Sequence, residues 1–81
     1  MATLLEPKKI KVDNRRWVTF TGRELSLLTL LSQGMAPRTI AEDAEVSLST
    51  VYNQLHSLLA KLRIRSYEKA VKKGRRLGLV G

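Results

Sequence analysis

Cysteine is absent from this chain and histidine occurs once. Without cysteine there is no disulfide staple and no cysteine-based zinc site, and a single histidine argues against a metal site with several ligands. The same lack fits a reducing compartment, so a cytoplasmic location is expected. No apolar run approaches the roughly 20 residues that cross a bilayer. Met1 to Glu6 offers no basic region before Leu4 and Leu5 and no cleavable apolar stretch, so no signal peptide is expected. There is no internal repeat, no glycine-rich phosphate loop and no catalytic constellation of carboxylates with histidine or cysteine. Glu42, Asp43 and Glu45 read as the solvated side of a short helix. An enzyme is therefore not expected, and no cofactor is called for.

What remains is an 81-residue chain with 43% hydrophobic and 27% charged residues. That suffices for one small all-α domain of three or four helices around a modest core, with little stability to spare. The formal net charge is +8 and the pI near 10.5. Such a balance favours an anionic partner, nucleic acid first, with an acidic protein or membrane surface as alternatives. The charge is uneven: residues 1–20 carry +3, residues 21–62 carry −1 and residues 63–81 carry +6. The middle carries the fold and the ends carry the electrostatics.

Residues 1–9 read as a loose arm. Ile10 and Val12 then alternate with lysines, Asp13-Asn14 offers turn chemistry, and Arg15 to Phe20 follows. A small β-hairpin and an irregular arm whose Trp17 covers the core are equally compatible with this pattern. The first helix has a capping box, Thr21 with Glu24 three positions on, and an apolar stripe of Leu25, Leu28 and Leu31 widened by Leu27 and Leu30. Gly34 ends it. Pro37 suits the first position of a second helix reaching Ala44, with Ile40, Ala41 and Ala44 inward and a weak cap at Ala36.

Ser47 caps a third helix over about 48–62. Val51, Leu55, Leu58 and Leu62 form its core stripe, with Leu59 beside them. Ser49, Asn53, His56, Ser57 and Ala60 lie opposite, and Tyr52 lies on the flank. A short helix, a tight turn and a longer helix with an uncharged polar face describe a helix-turn-helix. A fourth helix starts after Ser66, with Ala70, Val71 and Leu77 apolar and Gly74 four residues after Ala70.

The succession resembles a known family. Phe20-Thr-Gly-Arg-Glu-Leu-Ser-Leu-Leu-Thr-Leu-Leu-Ser-Gln-Gly34 is similar to the opening L-T-x-R-E-x-x-V-L-x-L-L-A-x-G of LuxR-type (GerE/NarL-like) domains. Ile40-Ala41-Glu42, Val46 to Val51, Leu59 to Leu62, Arg65-Ser66 with Ala70-Val71, and Arg75 to Leu79 continue the match in order. The resemblance covers residues 20–79 and leaves 1–19 as a basic arm or hairpin. It implies a four-helix transcription regulator, bacterial, whose third helix enters the major groove of double-stranded DNA and whose fourth supports a homodimer. RNA polymerase or another regulator would be further partners. With no room for a sensing domain, the chain is expected to be free-standing or an excised output domain.

Three positions depart from the family pattern. Glu45 stands where glycine is usual, Lys69 replaces a glutamate that would complete a capping box with Ser66, and Tyr52 replaces a long polar residue. A left-handed backbone at Glu45 would cost about 1 kcal/mol.

The expected base-reading residues are Ser49, Tyr52, Asn53 and His56, of which the last three also match positions where the family tends to contact bases. Asn53 can pair bidentately with adenine, whereas no arginine or lysine stands at a reading position for guanine. Arg38, Thr50, Lys61, Arg63 and Arg65 are expected at phosphates, and Ala70, Val71, Gly74 and Leu77 at a dimer contact. Lys8, Lys9, Lys11, Arg15 and Arg16 form either an arm into an adjacent groove or a solubilising edge. Two rivals stand beside this reading. A sigma factor shares the helix-turn-helix but needs further domains, and an interaction module would keep the fold while pairing with another regulator.

Overall fold

The computed structural model describes residues 6–80, so residues 1–5 of the expected loose arm and Gly81 lie outside the described residues. The chain runs through β1 (Lys8–Asp13), β2 (Arg16–Phe20), α1 (Gly22–Ser32), α2 (Pro37–Ala44), α3 (Leu48–Leu62) and α4 (Tyr67–Arg76). Four helices carry the fold, and a hairpin precedes them.

Of the two readings open for the N-terminal segment, the structure contains the hairpin. β1 and β2 are antiparallel, with Lys9 opposite Thr19, Ile10 opposite Val18 and Lys11 opposite Trp17. Lys8 and Lys9, expected in a loose arm, already belong to β1. Side chains alternate between faces in a strand. Ile10, Val12, Val18 and Phe20 therefore approach the helices, while Lys9, Lys11, Trp17 and Thr19 face outward. Trp17 is 59% exposed and does not cover the core. A two-stranded hairpin alone is marginal. This one is held by the fully buried Phe20 and by two bonds to the end of α3. Arg16 Nη2 donates to the Lys61 carbonyl at 2.8 Å, and Lys61 Nζ donates to the Thr19 carbonyl at 2.9 Å.

The helix starts follow local chemistry. Thr21 Oγ1 accepts from the Glu24 amide at 3.1 Å, and the Glu24 carboxylate accepts from the Thr21 amide at 2.9 Å, which completes the capping box. Ala36 makes no side-chain cap, as its methyl requires, and Pro37 begins α2. Ser47 Oγ accepts from the Thr50 amide at 3.1 Å. Ser66 accepts from the Lys69 amide at a longer 3.4 Å, and Lys69 returns no carboxylate to its cap.

All four helices end alike. The amide of Met35 bonds to the Leu30 carbonyl, Val46 to Ala41, Ile64 to Leu59 and Leu79 to Gly74. These are the long bonds of a Schellman ending, which needs a left-handed residue at the turn. Gly34 and Gly78 supply it at no steric cost, but Glu45 and Arg63 sit there too, at φ 56° and 55°. The turn at Glu45 thus keeps the conformation that glycine suits, and the glutamate bears its cost.

The core lies between α1, α3 and α4, where Leu25, Leu28, Val51, Leu55, Leu58 and Leu62 are at most 1% exposed. Ile40 and Ala41 of α2 join it, but Ala44, expected inward, is exposed. It lines an open groove with Leu27 and Leu30, because α2 ends there and a single methyl does not reach across. Leu79 and Val80 fold back onto the core after α4.

Candidate nucleic-acid interface

α2 and α3 form the two helices of a helix-turn-helix, joined by Glu45, Val46 and Ser47. Glu45 turns the chain, Val46 is half-buried against the core and Ser47 caps the next helix. α3 is 15 residues long, about 22 Å of helix. Its buried stripe fixes its rotation, which leaves Ser49, Tyr52, Asn53, His56, Ser57 and Ala60 exposed together. Tyr52 is 40% exposed. All four expected base-reading residues therefore share one outward face, whose donors and acceptors carry no fixed positive charge. Tyr52 stands close to Tyr67 at the start of α4. Burial, and then the neighbouring Tyr52, push the Tyr67 phenol above its ordinary value.

The cations expected at phosphates divide. Arg38 at the start of α2 and Arg63 and Arg65 after α3 are exposed. Thr50 is exposed as well, its hydroxyl 2.8 Å from that of Ser47. Lys61 is different: its half-buried side chain is taken up within the chain, its ammonium 2.6 Å from the Glu24 carboxylate and donating to the Thr19 carbonyl. Glu24 is only 5% exposed and also accepts from Ser57 Oγ at 3.2 Å. Burial alone would raise the Glu24 pKa, but the bonds from Lys61 and from the Thr21 amide outweigh it, so the carboxyl lies below its ordinary 4.5.

A second cluster surrounds Asp13. Arg16 Nε donates to it at 3.0 Å, with Lys73 at 3.8 Å and Arg63 at 4.0 Å. The hydrogen bond from Arg16 is the largest cause holding its carboxyl below the usual value, and the charges of Lys73, Arg16 and Arg63 act the same way. Arg16 and Lys73 also donate to the carbonyls of Lys61 and Leu62, at the electronegative end of α3. Arg16 is thus spent within the fold, while Lys8, Lys9, Lys11 and Arg15 stay exposed.

Arg23, which sequence reasoning passed over, is exposed at the rim of a depression shared with Gln54 and Ser57 of α3. Its signal was its place on the first turn of α1 between the two capping-box residues, Thr21 and Glu24, off the stripe of Leu25 and Leu28.

The four residues expected at a dimer contact are also divided. Ala70 is fully buried, and a Cβ on Gly74 would stand 2.6 Å from Leu28 Cδ2. The close approach that this pair permits is made by α1 of the same chain. Val71 reaches an apolar groove with Leu31, Met35 and Tyr67, and Leu77 is half-buried.

With this geometry in place, a family model described as GerE, bacterial regulatory proteins, luxR family, matches residues 18–73. The chain belongs to the luxR family. These are DNA-binding regulators, and the matched residues run from the second hairpin strand into α4. No curated protein matches the chain. The luxR match contains all of α1, α2 and α3, and thus the whole exposed face of the third helix, while β1 and Trp17 precede it. Among the described residues, no helix is long and apolar enough to cross a membrane.

Proposed function

We propose that this chain is a sequence-specific reader of double-stranded DNA that regulates transcription, either free-standing or as the output domain of a larger regulator. In this reading residues 20–79 are the reading domain, residues 1–19 a basic extension, and α3 enters the major groove. The observation that carries it is the exposed, uncharged polar face of α3 within a luxR-family fold. Asn53, His56, Tyr52 and Ser49 meet base edges, and Asn53 favours adenine. Because that face lacks cations, affinity comes from phosphate contacts by Arg38, Thr50, Arg63 and Arg65. Arg23 stands beside them, whereas Lys61 contributes mainly by holding α3 to α1.

A homodimer on DNA is part of the reading, and RNA polymerase or another regulator is its downstream partner in the cytoplasm. Val71 and the groove it shares with Leu31, Met35 and Tyr67 supply apolar area for a second copy. Glu68 and Arg75 line the same groove seven positions apart. An antiparallel α4 from a second copy pairs each with the other, as a two-fold interface requires.

Amide shifts by NMR on adding a retained duplex test the placement. Shifts concentrated on residues 48–57 support it. Shifts confined to α4 with α3 unmoved contradict it and favour an interaction module.

A further inference from the structure

The outward face of the hairpin takes no part in the reading just given, although it carries the most exposed large apolar side chain among the described residues. Trp17 is 59% exposed, directly opposite Lys11, with Lys9 opposite Thr19 on the same face. Arg15 stands exposed at the turn. Asp13, the acidic residue of the hairpin, is taken up by Arg16, Lys73 and Arg63 and leaves the outward cations uncompensated. An aromatic ring framed by lysines is matched by a partner that offers both negative charge and flat or apolar surface.

The hairpin does not float. Arg16 and Lys61 tie it to the end of α3 at 2.8 and 2.9 Å, and Phe20 is buried in the core. The face therefore keeps a fixed position relative to the reading helix. The lysines of that face attract a polyanion docked on α3, to whose end the hairpin is tied through Lys61.

We propose that this face is a second contact with the same duplex, beside the stretch that α3 reads. Lys9, Lys11 and Arg15 lie on flanking phosphates, and the Trp17 indole packs on the sugars and base edges of the neighbouring groove. The inference rests on the DNA-reading function proposed above. It assigns a role to β1 and Trp17, which the luxR match does not include.

Trp17 is the single tryptophan of the chain, so its emission reports on this face alone. A dye-labelled duplex supplies an independent signal, because its anisotropy rises on binding anywhere on the protein. The proposal predicts that a retained duplex raises anisotropy and quenches Trp17 over the same concentration range. Trp17→Ala weakens binding about tenfold. Lys9→Gln with Lys11→Gln, which leaves the indole in place, lowers the slope of log K against log salt by about 2, at ~0.9 per phosphate. The bases preferred stay the same in both variants, and circular dichroism confirms that each keeps its helices.

Anisotropy that rises with Trp17 emission unchanged overturns the hairpin contact and leaves the reading by α3 intact. No rise in anisotropy overturns both. Quenching by polyglutamate but not by duplex overturns the DNA assignment and gives the face to an acidic protein. Quenching by single strands in preference to duplex overturns the groove contact.

Discussion

The ammonium of Lys61, on the last turn of α3, lies 2.6 Å from the Glu24 carboxylate that caps α1. One ion pair therefore joins the start of α1 to the end of α3. Glu24 is nearly buried, so removing Lys61 strands a charge in a poorly solvated place, whereas Glu24→Gln removes the charge itself. Lys61→Met should destabilise the protein by about 2 kcal/mol, and Glu24→Gln by less. Urea midpoints measure both. Equal midpoints for Lys61→Met and the wild type would show that the pair does not hold the helices together.

The same carboxyl sets an acid limit. Its folded pKa lies below 4.5, its ordinary value, so its contribution is full above about that pH and is lost as pH falls through the folded value. Asp13 shifts in the same direction and adds to the loss. Thermal midpoints between pH 6 and pH 3 should fall more steeply for the wild type than for Glu24→Gln. Parallel curves would show that Glu24 does not set the acid limit.

Glu45 and Arg63 occupy left-handed positions that Gly34 and Gly78 occupy in the other two helix endings. Relief of about 1–2 kcal/mol there exceeds the 0.5–1 kcal/mol that glycine costs through the freedom of the unfolded chain. Glu45→Gly should stabilise the protein by roughly 0.5–1 kcal/mol and raise its melting temperature by a few degrees. Arg63→Gly gains less, because it also loses its 4.0 Å contact with Asp13, and it should weaken DNA binding where Glu45→Gly does not.

Gly74 separates an internal from an intermolecular role for the small residues of α4. A methyl there meets Leu28, which is itself fully buried and has little room to move. Overpacking costs about 1–3 kcal/mol and outweighs the helix propensity gained, about 1 kcal/mol. Gly74→Ala should lower the melting temperature at every protein concentration. A variant that melts normally but changes the association state by sedimentation would put Gly74 at a dimer contact instead.

The helices were legible because their start signals are local. Thr21 with Glu24 and Ser47 bond amides three residues away, Pro37 fixes its own φ at the start of α2, and the stripe on α3 needs only its own periodicity. The hairpin was not separable from an irregular arm, because it depends on Arg16 reaching a carbonyl 45 residues away. Lys61 read as a phosphate ligand for the same reason: its partners, Glu24 and Thr19, are set by packing that spacing does not encode. Ala70 and Gly74 were legible as a place of close approach, but the sequence does not say whose helix approaches. The exposed face of α3 was legible in full, since a buried stripe on one side dictates the other.

The exposed face of α3 is proposed to read bases. Selection of duplexes from a random library at ~0.15 M salt, with the wild type and Asn53→Ala side by side, tests it most directly. Asn53 is exposed, so its removal should change stability by no more than about 0.5 kcal/mol. The wild type should enrich one site, an inverted repeat if two copies bind. Asn53→Ala should relax the preference at one base pair of each half-site, by about 1–3 kcal/mol. Retention of duplexes with no enriched sequence would contradict base reading, and would leave a basic protein that binds phosphate alone.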